Sequence, residues 1–132
     1  DLYDVFEHFK GNKEALSALT ERISRICVFD VSCGCGNFLL VSYCELNSLL
    51  KKISDAMGDK IAPVMPVGNF YGIESKRFSC TIACMGLLFV ILQNGNQTLK
   101  SLRSNIDILF SANIVNANPL TIDVGFSLFG KE

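Results

Sequence analysis

Two acids and a glycine turn carry the chemistry this sequence can do. The run Val28-Phe29-Asp30-Val31-Ser32-Cys33-Gly34-Cys35-Gly36-Asn37-Phe38 passes from apolar residues to an acid. It then crosses two glycines one residue apart and enters a long apolar-periodic segment. That order reads as strand, tight turn and helix start. Gly34 and Gly36 free the backbone to take positive φ and to approach a ligand with no Cβ in the way. The helix that follows offers unpaired amides to whatever sits over the turn. In an open α/β sheet, ligands bind in the crevice beyond the carboxyl ends of the strands. The run is therefore a nucleotide-type cofactor loop. The second acid, Glu74, ends the segment Phe70-Tyr71-Gly72-Ile73-Glu74. A carboxylate at the end of a second strand is placed to accept the two hydroxyls of a ribose. Each acid also has a plain alternative: a solvated strand end for Glu74, and a cap for the turn or helix start for Asp30. Asn37 and Phe38 either flank the ligand or, for Asn37, cap the helix.

Other chemistries fit less well. A phosphate loop needs Gly-Lys-Ser/Thr, and no Lys follows Gly36; a dinucleotide loop needs a third glycine where Leu39 stands. The single histidine, His8, lies in a charged N-terminal segment with no motif around it, so no catalytic residue is assigned. Six cysteines are present (Cys27, Cys33, Cys35, Cys44, Cys80, Cys84), none with Cys-x-x-Cys spacing. Cys33 and Cys35 joined to Cys80 and Cys84 would make a four-thiolate zinc site. Reduced cysteines serving as small core residues fit better, so no metal is expected and the compartment is read as reducing and cytoplasmic.

These residues need elements to position them. Hydrophobic residues are 49% of the 132 and charged residues 19%, with mean hydropathy +0.34, enough for one domain with a buried sheet. The net charge is −1, and no basic cluster marks a nucleic-acid surface. Asp1 to Lys10 reads as a short helix, and Asn12 caps a second from Lys13 to Ser24. A strand of Arg25 to Phe29 precedes the glycine turn. A helix from Asn37 to Met57 follows, with Leu39, Tyr43, Leu46, Leu49, Leu50 and Ile53 on one face. Pro63 and Pro66 break the chain before a strand over Asn69 to Glu74. Ser75 caps a helix from Lys76 to Gln93, whose apolar run Cys80 to Leu92 is too short to span a bilayer and reads as buried. Thr98 to Phe110 is helical or irregular, Ile114-Val115 a short third strand, and Val124 to Glu132 carries no signal. Cys33, Phe38 and Phe78 are read as core in the first instance. The α-β-α-β-α-β order favours a parallel sheet. The opening Asp1-Leu2-Tyr3-Asp4 is acidic and lacks the apolar core of a signal peptide, and the absence of an initial Met suggests a piece of a longer chain.

Acid, small-residue turn, Gly-x-Gly and Asn resemble motif I of S-adenosylmethionine-dependent methyltransferases. More narrowly, Phe29-Asp30-Val31-Ser32-Cys33-Gly34-Cys35-Gly36-Asn37-Phe38 is similar to the Asp-Pro-Ala-Cys-Gly-x-Gly-Asn-Phe signature of adenine-N6 DNA methyltransferases, with Val31-Ser32 in place of Pro-Ala. The methylase part of large combined restriction-and-modification enzymes matches best. Phe70-Tyr71-Gly72-Ile73-Glu74 is similar to the Gln-Phe-Tyr-Gly-Ile-Glu segment of that family, which also has a long spacer between its two acids. Asn116 to Asp123 resembles its third motif, Gly-Asn-Ala-Leu followed by Asp, with Ala117 for Gly and Pro119 for Ala.

The resemblance implies a partial Rossmann-like α/β methyltransferase fold of about three parallel strands with flanking helices. Residues 1–25 would form a helical segment and 26–132 a partial S-adenosylmethionine-binding domain. The implied cofactor residues are Asp30, Cys33, Gly34, Gly36, Asn37, Phe38, Glu74, Asn118 and Asp123. Asp30 would work near the methionine part and Asn118 would reach the adenine amino group, although an Asn before Pro also favours a plain turn. In the family, a flipped-out adenine is held by an Asn/Asp/Ser-Pro-Pro-aromatic motif and attacks the sulfonium methyl directly. No Pro-Pro occurs here, and the tail Phe126-Ser127-Leu128-Phe129-Gly130-Lys131 only faintly echoes that segment. The chain is expected to bind cofactor and to lack the catalytic motif and the DNA-recognition domain, so DNA would be met through parts outside it. A truncated or decayed non-enzymatic remnant, or an interaction module that keeps the fold, is the alternative. No membrane partner is expected; the open sheet edge would allow a second copy to pair.

Overall fold

The computed structural model describes residues 1–94, 103, 106 and 113–122. Helices α1 (Leu2–Phe9) and α2 (Lys13–Ser24) precede strand β1 (Val28–Asp30). Then follow α3 (Asn37–Met57), β2 (Phe70–Glu74), α4 (Arg77–Asn94) and β3 (Ile114–Asn116). Among the described residues the sheet has three strands in the order β1-β2-β3, all parallel. The result is a partial Rossmann-like α/β fold.

The caps follow the sequence closely at most ends. Asp1 and Asp4 form a reciprocal capping box on α1, and the Asn12 side chain accepts from the Ala15 amide at 3.1 Å to start α2. Helix α3 runs between two glycines in left-handed conformation, Gly36 (φ +84°) and Gly58 (φ +79°). Its inner face (Leu39, Tyr43, Leu49, Leu50, Ile53) packs in one core with Leu16, Leu19 and Ile23 of α2, Phe70 of β2 and Leu87 of α4. Tyr43 meets Phe70 edge to face, ring centroids 5.2 Å apart.

Four expectations need correction. Strand β1 starts at Val28 rather than Arg25, because α2 ends in a tight turn through Ile26 and the Asn69 amide takes the carbonyls of Ser24 and Ile26 (2.9 and 3.1 Å). Ser75 does not cap α4: the helix begins at Arg77, the Cys80 amide bonds the Lys76 carbonyl, and the Ser75 hydroxyl donates to the Glu74 carboxylate instead. Helix α4 is buried on one face only (Cys80, Ala83, Cys84, Leu87, Ile91), while Phe78, Ile82, Met85, Phe89 and Leu92 face outward. Its length and composition would let it cross a membrane, but its inner face is part of the core between β2 and β3. Phe38 and Phe78 are exposed (57% and 78%) and so are not core residues. Residues 98–102, 104–105, 107–110 and 123–132 lie outside the described residues.

Candidate functional site

Glu74 is the point where three segments meet. Its Oε2 accepts the Gly34 amide at 3.0 Å, tying the end of β2 to the glycine turn. Its Oε1 accepts the Lys76 amide at 2.7 Å and the Ser75 hydroxyl at 3.2 Å. Its main-chain carbonyl accepts the Ala117 amide at 3.1 Å and the Asn116 side-chain amide at 2.9 Å, which also reaches the Ser75 carbonyl. The Lys76 amide is the largest influence on the Glu74 carboxyl; burial, next in size, opposes it, and the Ser75 hydroxyl and Gly34 amide add to the lowering, so the carboxyl lies below its ordinary value. The acid is therefore ionised and fixed, with 9% of its surface exposed.

The turn is built from its own backbone. Asp30 Oδ1 accepts the Ser32 amide at 3.0 Å, so this acid caps the turn. The Cys33 amide donates to the Ile73 carbonyl at 2.9 Å and the Gly36 amide to the Cys33 carbonyl at 2.7 Å. Gly34 and Gly36 have φ of +53° and +84°. A Cβ on Gly34 would meet nothing within 4 Å, so the space over it is open. A Cβ on Gly36 would lie 2.8 Å from the Ala83 Cβ, so this glycine serves the close approach of the turn to α4. Cys33 is buried, and its thiol fills the space a Cβ on Gly72 would need, 2.8 Å away. Burial first, then the charge of Asp30, pushes its thiol up to about 12, which removes it as a nucleophile.

Asn37 is the first residue of α3 and exposed, with Gly36 as the cap residue, so Asn37 does not cap the helix. Phe38 stands exposed beside it. The first-turn amides of α3 have no partner within the helix and belong to the same end of the sheet. Asn118 is exposed and accepts the Leu120 amide on its Oδ1 at 3.0 Å, a local turn that uses one of the two acceptor positions of that oxygen. Asp123 lies outside the described residues. Sequence reasoning missed Asn116, whose partners Glu74 and Ser75, at and just past the end of β2, are more than 40 residues away in the chain. Among the described residues no group of three or more His, Cys, Asp or Glu side chains could hold a metal ion, and none of the six cysteines forms a disulfide. Cys27 and Cys35 are exposed, so they are not the core residues expected of them.

A parallel sheet with a glycine turn after its first strand and an anchored acid ending its second defines a nucleotide-cofactor-type α/β domain. The ionised Glu74 carboxylate and the open space over Gly34 stand side by side at the end of β2. The chain belongs to the family described as "MmeI, DNA-methyltransferase domain", whose model matches residues 6–126. It is 33% identical over 91 residues to DNA methyltransferase A of Bacillus subtilis (strain 168), covering 65% of this chain and 10% of that protein. Its structure superposes on the Type IIL restriction-modification enzyme MmeI, solved in complex with DNA, with TM-score 0.73 and 28% identity. That match covers 96% of this chain and 18% of the other. The chain thus spans less than a fifth of the length of either relative.

Proposed function

We propose that this chain is the S-adenosylmethionine-binding part of a DNA adenine-N6 methyltransferase of the combined restriction-and-modification type, acting in the cytoplasm. The observation that carries the reading is the Gly34–Glu74 bond, which joins the glycine turn to the strand-end acid in one ligand-facing unit. In this reading Glu74 takes ribose hydroxyls, and Asp30 and Cys33 shape the turn. Asn37 and Phe38 flank the methionine part. Asn118 and Pro119 would contact the adenine, Asp123 is assigned to the cofactor by its motif, and residues 1–25 buttress the cofactor unit 26–132. S-adenosylmethionine supplies the methyl group; these residues bind and orient it. The base-handling Pro-Pro-aromatic motif and the DNA-recognition domain would come from polypeptide beyond these 132 residues, and DNA would be met through them.

The edge of β1 away from β2 is unpaired among the described residues and borders an apolar groove of about 480 Å³ lined by Ile26, Val28, Phe29, Phe38 and Val41. A further strand, or a second copy of the chain, would pair there. The alternative function is a remnant or interaction module that keeps the fold without cofactor. The Asn118 side chain turned into its own loop favours it. Calorimetric titration with S-adenosylhomocysteine separates the two. Saturable binding abolished by Glu74→Ala supports the cofactor reading, and no binding by a folded, monodisperse sample overturns it.

A further inference from the structure

An ionised carboxylate has about four acceptor positions, two on each oxygen. Glu74 uses three of them: two on Oε1, for the Lys76 amide and the Ser75 hydroxyl, and one on Oε2, for the Gly34 amide. One position remains, on Oε2. A vicinal diol needs two. A ribose can therefore make both its hydrogen bonds to Glu74 only if one protein donor withdraws.

The three donors are not equally free to do so. The Lys76 amide stands immediately before α4, and its bond is the shortest at 2.7 Å. The Gly34 amide is held by a turn anchored on both sides, by the Cys33 amide on Ile73 and the Gly36 amide on Cys33. Ser75 differs: it is exposed, its bond is the longest at 3.2 Å, and its hydroxyl rotates without moving the backbone. Nor does that hydroxyl serve as a helix cap: α4 begins at Arg77, Lys76 holds the cap position, and the Ser75 hydroxyl donates to Glu74 rather than accepting a helix amide.

We propose that Ser75 is a specificity-determining residue of this site: its hydroxyl occupies the Oε1 position that the second hydroxyl of a ribose must take, and the ligand binds by exchange with it. The inference rests on the reading of Glu74 as the ribose acceptor. Ser75 in this role sets how strongly the site distinguishes a diol from a sugar with a single hydroxyl. A single hydroxyl uses the vacant Oε2 position and leaves Ser75 where it is. The second hydroxyl gains only the difference between its own bond and the one it displaces.

The test is calorimetric titration of the wild-type chain, Ser75→Ala and Ser75→Thr with S-adenosylhomocysteine and its 2′-deoxy analogue. A neutral hydrogen bond contributes a few-fold to about tenfold in affinity. Ser75→Ala should bind S-adenosylhomocysteine about 3- to 10-fold more tightly, leave the 2′-deoxy analogue unchanged, and so widen the ratio between the two. Ser75→Thr, which keeps the hydroxyl, should behave as wild type. Equal urea midpoints for the three proteins establish that the exposed substitution leaves the fold alone. Wild-type binding with an unchanged or narrowed ratio in Ser75→Ala overturns the exchange while leaving the cofactor reading intact. No binding by the wild-type chain overturns both.

Discussion

Gly36 is the tightest point between the glycine turn and α4, and its replacement gives the sharpest test of how the site is held. Its φ of +84° lies in the left-handed region, and an added Cβ would sit 2.8 Å from the Cβ and 3.0 Å from the Cα of Ala83. Gly34 is a natural control: its φ is also positive, at +53°, but a Cβ there meets nothing within 4 Å. Ala at Gly34 should cost only the left-handed penalty, about 1–2 kcal/mol. Ala at Gly36 adds overpacking against a helix, about 1–3 kcal/mol, for a total of roughly 2–5 kcal/mol. That is a large share of the 5–15 kcal/mol typical of a domain. Ala83→Gly removes the nearer of the two clashing atoms and costs about 1 kcal/mol by itself, as glycine within a helix does. The Cα at 3.0 Å stays, so relief is partial, and the double variant should be about 1 kcal/mol less destabilised than the two singles added. Urea unfolding of the four proteins reads this as a shift in midpoint at constant slope. If Gly36→Ala costs no more than Gly34→Ala, or if the two changes simply add, the close approach to Ala83 does not hold the turn and the reasoning fails.

Three further outcomes follow from the same geometry. Protonating Glu74 should release the Gly34 amide. Because this carboxyl is held below its ordinary value, its stabilising effect is present at neutral pH and is lost as pH falls through that lowered value. Hydrogen exchange at the Gly34 amide, corrected for intrinsic rate, should therefore lose protection in acid, and Glu74→Gln should remove the pH dependence. Asn116→Ala leaves the Glu74 and Ser75 carbonyls without their side-chain donor and should cost about 1–3 kcal/mol, with S-adenosylhomocysteine affinity falling alongside; unchanged affinity would deny Asn116 a positioning role. Maleimide at neutral pH should label exposed Cys27 and Cys35 first and spare Cys33 and Cys84, whose burial raises their thiols to about 12 and about 11. A raised thiol also favours the native state less as pH climbs from about 9 to about 12, so stability should fall across that window.

Much of this was legible where structure is set by neighbours in sequence. Helix α3 is read correctly at both ends because Gly36 and Gly58 bracket it, and the Asn12 cap follows from its own position. What failed depends on residues far along the chain. The start of β1 is set by Asn69, which claims the Ser24 and Ile26 carbonyls from more than 40 residues away. Ser75 looks like a cap by type, yet α4 starts one residue later than its sequence suggests, and the adjacent Glu74 carboxylate takes the Ser75 hydroxyl as a donor. Asn113 and Asn116 bond to carbonyls on and around β2 and carry no local pattern that would single them out. Hydrophobic content marks α4 as a helix wanting burial but cannot say what covers Phe78 or Phe89.

The layout of the sheet bears on where the rest of a catalytic site would stand. In a doubly wound sheet the first strand is interior, with the second on one side and the fourth on the other. Here β1 pairs with β2 alone among the described residues, although it leads into the glycine turn and so belongs at the centre of the ligand crevice. Its unpaired side is flanked mainly by apolar residues, among them Phe29, Phe38 and Val41, each more than a third exposed, with Glu45 the one charged side chain lining the same groove. A strand added there in parallel would bring its carboxyl end beside Asp30 and the turn. Glu74 and the Asn116 to Asn118 loop already hold the opposite side. Val41→Glu, at a position 61% exposed, should leave the isolated chain's urea midpoint unchanged, because the described residues leave most of that side chain uncovered. In the same reading it should block any pairing through the β1 edge, including self-association seen in a sedimentation experiment. Self-association that survives Val41→Glu but disappears with Phe89→Glu would move the contact to the outer face of α4 and refute the edge as the joining surface.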